Sequence, residues 1–282
     1  MKKAISIIII ILVIILISLI PISRMQKRKQ EEAEKEKMIE DMNNYLNKEV
    51  YGANEFTMTT VSLENALQRY YSEYKNNAIS NPEKAFKLLD SNYREKRFAN
   101  YDDFLRYTQQ NVEEIMNSKI IAYLEKNYDG YNMYTCLDQN NNYIIFKETA
   151  VMQYSIILDP YTLDMPEFLE KYNSTDEQGK TALNIQKFTQ ALSAKDYRYA
   201  YNHLSGGFKS NYFKSQEDFE RYINDNWYNC NFEVEYGEFE EQSGLYKYTI
   251  TIKNKENQNE LFQKTIIMKL NEGTNFEMSF NV

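Results

Sequence analysis

His203 is the only histidine in the 282-residue chain, so acid–base or metal chemistry would rest on it, on carboxylates and on two cysteines. It lies in "AYNHLSGGFKSNYFKSQEDFERYINDN", which begins at Ala200 and aligns without a gap to "AFKLLDSNYREKRFANYDDFLRYTQQN", which begins at Ala85. The alignment sets His203 opposite Leu88, and a position that accepts leucine reads as packing rather than as a general base. Asp103 and Arg106 recur as Asp218 and Arg221. A carboxylate and a guanidinium three residues apart can serve a pocket. Repeated beside helix-start residues, they read instead as an acid favoured by the helix dipole with a neighbouring ion pair.

Three further motif echoes fail on their residue types. "STDEQGKT" ends like a phosphate loop, but Ser174 stands where the first glycine belongs, and Asp176 and Glu177 would repel phosphate. "SEYK" at Ser72 has the spacing of a penicillin-binding serine and lysine, without the partner motifs. "DQNNNY" from Asp138 begins like a calcium loop, but Tyr143 replaces its glycine and Thr149 its bidentate glutamate. Cys136 and Cys230 lack metal-site spacing and fall at non-equivalent places in the two copies, so neither copy can hold an internal disulfide. No catalytic, cofactor-binding or metal-ligating residue is assigned, and no cofactor is expected.

The elements that would position these residues are two copies of one unit. Identities at Ala85/Ala200, Leu89/Leu204, Phe98/Phe213, Asp103/Asp218, Phe104/Phe219, Arg106/Arg221, Tyr107/Tyr222 and Asn111/Asn226 share one offset of 115 residues. Each copy opens with a helix. Ala66, Leu67, Tyr70, Tyr71 and Tyr74 form its stripe in copy one, within a helix near Val61 to Tyr74. Ile185, Phe188 and Leu192 form it in copy two, behind a capping box at Thr175 to Gln178. A second helix carries Ala85, Phe86 and Leu89, or Ala200, Tyr201 and Leu204. A third starts at Asn100 or Ser215 and buries Phe104 and Tyr107, or Phe219 and Tyr222.

The period then changes to two in each copy. "KIIAYLEK", "YNMYTCLD", "YIIFKETAV" and "MQYSIILD" predict four strands, turned at Asp129-Gly130 and "QNNN". "NFEVEYGEFEE", "LYKYTITIKN", "ELFQKTIIMKL" and "FEMSFNV" predict four more. Helices followed by an antiparallel meander make an α+β domain. The junction "PEFLEKYNSTDEQGK" reads as a short helix and loop.

Ahead of the copies, Ala4 to Ser23 carries no charge and is long enough for the ~30 Å hydrocarbon core of a bilayer. No small-residue cleavage site follows, so the segment reads as an uncleaved anchor. Arg24, Lys27, Arg28 and Lys29 outnumber Lys2 and Lys3, which favours a cytoplasmic body, whereas the short tail and long apolar run favour an external one. The charged stretch after the anchor lacks glycine and proline, and reads as a solvated helical stalk. Met38, Met42, Tyr45 and Leu46 offer a weak dimer seam there, so a homo-oligomer stays open.

Composition narrows the partners. A formal net charge of -8 argues against nucleic acid, whose binding is driven by lysine and arginine. Aromatic residues reach 15%, with 25 tyrosines, which suits cores and protein interfaces.

The pattern "A[FY]xxL…[YF][KR]…F…[DE]DFxRY", three helices and then a sheet, resembles the NTF2-like superfamily of cone-shaped α+β domains. The resemblance divides the chain into an anchor (1–23), a stalk (24–56), one domain (57–167), a linker (168–175) and a second domain (176–282). A single anchor with NTF2-like domains resembles bacterial envelope proteins, among them VirB8-like and TcpC-like conjugation components and the non-catalytic domain of some penicillin-binding proteins. It implies a single-pass protein of the cell membrane with extracytoplasmic domains. It also implies a non-enzymatic role in protein–protein contacts, as an envelope scaffold or assembly component. The alternative it implies is a module that holds a small molecule or peptide in the cone. Enzymes of the superfamily place an aspartate or histidine base inside the cone, where His203 would be the only histidine on offer.

Overall fold

A computed structural model of the protein describes residues 61–128, 131–140, 142–150 and 153–282. The expected anchor and stalk, and the Asp129-Gly130 turn, lie outside the described residues. No helix of the described residues is long and apolar enough to cross a membrane.

Helix α1 (Val61–Ser80) runs past the expected end at Tyr74 to Ser80 and buries Leu67, Tyr71, Tyr74 and Ala78 along one face. The expected second helix ends just before Leu89, and a helix that was not expected follows it. α2 (Pro82–Leu88) starts with Asn81 accepting from the Lys84 amide, and α3 (Ser91–Arg97) starts with Asp90 accepting from the Asn92 and Tyr93 amides. They are separate because Leu89 is extended: it forms a parallel bridge with Ile156, and the Asp90 amide donates to the Ile156 carbonyl. α4 (Tyr101–Gln110) begins where expected, with the Asn100 side chain accepting from the Asp103 amide at 3.0 Å. α5 (Val112–Asn117) follows at once. Strands β1 (Ile120–Tyr128), β2 (Tyr131–Asp138), β3 (Tyr143–Ala150) and β4 (Gln153–Ile157) form an antiparallel sheet in chain order.

The junction holds a 3-10 turn (Pro160–Thr162) and α6 (Pro166–Ser174). Copy two then repeats the plan with α7 (Glu177–Ser193), α8 (Tyr197–Asn202), α9 (Gly206–Tyr212) and α10 (Gln216–Asn226). The cap of α7 is Asp176, whose side chain accepts from the Gly179 amide, one residue beyond the expected Thr175. Asp176 has the extended backbone of a cap and an ionised acceptor at the positive helix end. The break between α8 and α9 mirrors the first copy: Leu204 bridges Met278, and the Ser205 amide donates to the Met278 carbonyl. Ser215 caps α10 through the Asp218 amide at 3.2 Å. A 3-10 turn (Tyr228–Cys230) leads to β5 (Phe232–Gln242), β6 (Leu245–Asn254), β7 (Leu261–Leu270) and β8 (Phe276–Phe280), again antiparallel in chain order.

The chain is thus α+β, with two four-stranded antiparallel sheets and ten α-helices among the described residues. Register shifts between Tyr236 and Phe239, around Gly237, bend β5. A Cβ on Gly237 would stand 3.1 Å from the Thr249 carbonyl oxygen, so the bulge brings backbone to backbone there. Phe104 and Phe219, the matched aromatics, are both fully buried. Phe104 sits among Phe86, Phe98 and Tyr107, and Phe219 among Tyr201 and Phe213. Such edge and tilted ring contacts add to plain area burial.

Candidate functional site: a cleft between the two copies

The residues singled out for chemistry do not gather. His203 lies between the rings of Tyr199 and Phe276, at 4.2 and 4.4 Å between centroids, with Nδ1 2.8 Å from the Tyr199 carbonyl oxygen. Burial pushes its pKa below the ordinary 6.5, so it packs as a neutral ring. Asp103 pairs with Arg106, and Asp218 with Arg221 at 3.6 Å, both at exposed helix starts. Ser72 is exposed, and Lys75 donates to the carbonyls of Met116 and Ser118 at 3.2 and 2.6 Å. Gly179 and Lys180 belong to the first turn of α7, with no phosphate loop around them. Asp138 holds the β2–β3 turn by accepting from the Asn140 and Asn142 amides at 2.8 and 2.9 Å. Cys136 and Cys230 are free thiols, both buried. Among the described residues no group of three or more His, Cys, Asp or Glu could hold a metal ion.

Arg97 is what joins the copies. It is 8% exposed; its Nε donates to Asp159 Oδ2 at 3.0 Å, and Nη1 stands 3.5 Å from Asp196 Oδ1. Tyr93 donates its hydroxyl to the same Asp159 oxygen at 2.6 Å, and Tyr161 donates to Asp196 at 3.3 Å. Burial raises the Asp196 carboxyl above its ordinary value, although Arg97 and the Tyr199 amide pull the other way. Arg97 also stacks its guanidinium over the rings of Phe98 and Tyr107. A second tie runs through Asp164, which accepts from Lys187 Nζ at 2.8 Å and from the Thr274 hydroxyl at 2.9 Å.

Beside this junction a cleft of about 1160 Å³ opens, lined by both copies. Both members of four equivalent pairs line it: Tyr71 and Gln186, Tyr74 and Thr189, Glu114 and Asn229, Ile115 and Cys230. The wall from copy one is aromatic and acidic, and the wall from copy two mixes amides, hydroxyls and aromatic rings with Lys195, Lys255 and Glu256. Under the first wall the Tyr71 hydroxyl donates to Ser118 Oγ at 2.9 Å, and Ser118 donates to Asp138 Oδ2 at 2.9 Å. Burial pushes the Tyr71 phenol up to about 12, so it remains a proton donor. The Tyr74 hydroxyl is fully buried in the same wall and has no hydrogen-bond partner.

The opposite wall is held in an uncommon backbone conformation. Among the described residues five non-glycine positions have positive φ, and four of them line the cleft: Lys195 (53°), Tyr228 (51°), Asn229 (50°) and Cys230 (67°). Asparagine tolerates that region, whereas Tyr228 and Cys230 bear a cost on the order of 1 kcal/mol each. The copy-one counterparts Glu113, Glu114 and Ile115 are ordinary residues of α5.

Sequence reasoning missed the cleft and Arg97 for a common reason: both are made where the copies differ. The signal was present in the alignment. Arg97 stands opposite Tyr212, which is 57% exposed, and the caps Asn81 and Asp196 stand opposite each other with different charge. No family model, no curated protein and no solved structure matches the chain.

Proposed function

We propose that the chain is a membrane-anchored, non-enzymatic protein of the cell envelope that presents two NTF2-like domains for contact with other proteins. The observation that carries this reading is the double module itself. Two copies of a helices-then-sheet unit are tied by the buried Arg97, Asp159 and Asp196 group into one body with a shared cleft. Two linked modules present a larger composite surface than either alone, and an anchor at Ala4 to Ser23 would raise their local concentration at a bilayer. A non-enzymatic role agrees with the packing of His203 between two rings and with the use of Asp103, Asp138 and Asp218 in ion pairs and a turn. The acidity also belongs to the body: residues 1–60 carry nine basic and eight acidic side chains against the chain's formal -8.

A second reading is favoured by the cleft. Its strained wall and unpartnered hydroxyl suit a binding module for a small molecule or peptide, with the site between the copies rather than within one cone.

Protease accessibility of the full-length protein in intact protoplasts, with lysed cells as control, tests the envelope reading. Digestion to a membrane-protected stub is expected. Full protection until lysis would place the body in the cytoplasm and overturn it.

A further inference from the structure

The first helices of the two copies, α1 and α7, carry equivalent faces that are treated in opposite ways. In copy one the face is Tyr71, Tyr74, Lys75 and Ala78, and it is covered. Tyr71, Tyr74 and Ala78 are at most 5% exposed. The Tyr71 hydroxyl donates to Ser118 Oγ, and Lys75 donates to the Met116 and Ser118 carbonyls at the end of α5. In copy two the same face reads Gln186, Thr189, Gln190 and Ser193, at i, i+3, i+4 and i+7. All four line the cleft, on a helix that is otherwise mostly buried. Thr189 donates back to the Ile185 and Gln186 carbonyls. Among the described residues the side chains of Gln186, Gln190 and Ser193 form no hydrogen bond.

The cover is missing for a local reason. Copy one lays α5 against α1, whereas the segment of copy two aligned with Glu113 to Ile115 is the left-handed turn Tyr228–Cys230. Successive left-handed residues other than glycine are costly, and strain of this kind gathers at ligand sites. The turn also lines the cleft, and Asn229 at its centre adds a third uncommitted amide. Strained backbone and uncovered amides are therefore one feature.

The rest of the lining fixes the class of ligand. Asp159 is matched by Arg97, Asp138 holds a turn and Glu256 accepts from Asn231, which leaves Glu114 against Lys195 and Lys255. Neither sign dominates, so the lining suits a neutral ligand. Tyr107, Tyr143 and Tyr228 bring half-buried rings, while the isoleucines of the lining, Ile115 and Ile144, are 6% and 2% exposed. What remains accessible is chiefly amide, hydroxyl and ring. The volume of about 1160 Å³ exceeds the roughly 300–1,000 Å³ of a site for one drug-sized molecule.

We infer that the cleft binds a neutral oligosaccharide, with the Gln186, Gln190 and Asn229 amides on sugar hydroxyls and tyrosine rings against the sugar C–H faces. A planar amide both donates and accepts, as a sugar hydroxyl does, so one amide can meet two neighbouring hydroxyls. A phenol offers an apolar ring to the flat of a pyranose and a polar tip to its edge. The inference rests on the reading of the cleft as a binding site and names its ligand class.

Isothermal titration of the full chain, in a detergent without a sugar headgroup, tests it with chitotriose, maltotriose and cellotriose. Adenosine and an acetylated trialanine amide serve as neutral probes of other classes. At least one trisaccharide should bind. Gln186→Met or Gln190→Met should weaken it about threefold or more at an unchanged melting temperature, because the amide removed is bonded only to the ligand. Gln110→Met, at an exposed position outside the lining, should leave affinity unchanged. A loss in either cleft variant upholds the inference. Wild-type affinity in both, or an equal loss in Gln110→Met, overturns it. Binding of adenosine or the peptide without any trisaccharide also overturns it, yet keeps the cleft as a binding site. Silence from all five probes counts against the site itself.

Discussion

Replacing Arg97 by alanine should both destabilise the protein and uncouple its two copies. Arg97 is 8% exposed, and its two acids, Asp159 and Asp196, are 12% and 2% exposed. Removing the guanidinium leaves two carboxylates facing each other with little water, and breaking a buried pair in this way costs about 3–5 kcal/mol. Urea unfolding of the full chain measures it with two probes. Fluorescence of Trp227, the lone tryptophan and fully buried in copy two, reports that copy. Far-ultraviolet circular dichroism reports both. The two transitions should coincide in the wild type and separate in Arg97→Ala.

The pH dependence has a definite sign. Burial already holds the folded Asp196 carboxyl above its unfolded value, and loss of Arg97 raises it further. A folded state that binds the proton more tightly gains stability relative to the unfolded chain as pH falls, so the deficit of the variant should shrink below neutral pH. The charge-free variant Arg97→Met, Asp159→Asn, Asp196→Asn keeps acceptors for Tyr93, Tyr161 and the Tyr199 amide, and should return to within about 1 kcal/mol of wild type or exceed it. Coincident transitions at an unchanged midpoint in Arg97→Ala would refute the assignment of this group as the joint.

Other expectations follow from single sites. Phe104→Ala and Phe219→Ala, both fully buried, should each cost about 3–5 kcal/mol by chemical denaturation, and full retained stability would contradict the packing described. Arg106→Ala should cost less than about 1 kcal/mol in the same assay, because its pair is solvent-exposed. His203, held neutral below its ordinary 6.5, lets the unfolded chain bind a proton first. Stability should therefore fall as pH drops through 6.5, and His203→Leu, the residue of the other copy, should flatten that dependence. Burial pushes both thiols up, so Cys136 and Cys230 should resist alkylation in the native protein and react together in urea, as mass spectrometry would show.

The elements were largely legible because the copies vouch for each other. Asn100 and Ser215, with an aspartate three residues on, marked α4 and α10 twice, and strands β2 and β6 match their alternating segments end to end. The end of the second helix short of Leu89 or Leu204, and the further helix after it, were not legible. Leu89 and Leu204 fit a helical stripe, and only the docking of each onto a distant strand makes the backbone extended there. Local periodicity cannot register a partner 67 or 74 residues away, whatever its strength. The same limit hid the left-handed stretch at Tyr228 to Cys230, where copy one has an ordinary helix.

Agreement between copies identifies what folds each module, and disagreement identifies what makes the modules one object. Phe98/Phe213, Phe104/Phe219 and Leu89/Leu204 are shared, and each pair is buried within its own copy. Arg97/Tyr212, Asn81/Asp196, Tyr74/Thr189 and Glu114/Asn229 are not shared: Arg97 and Asp196 meet across the copies, and both members of the last two pairs line the cleft. A buried ion group adds little net stability, yet it penalises any arrangement that leaves one charge unmatched. With Tyr212 in place of an arginine, copy two cannot offer the same joint to a second copy one. The charges therefore select one pairing of the two modules and, with it, one cleft.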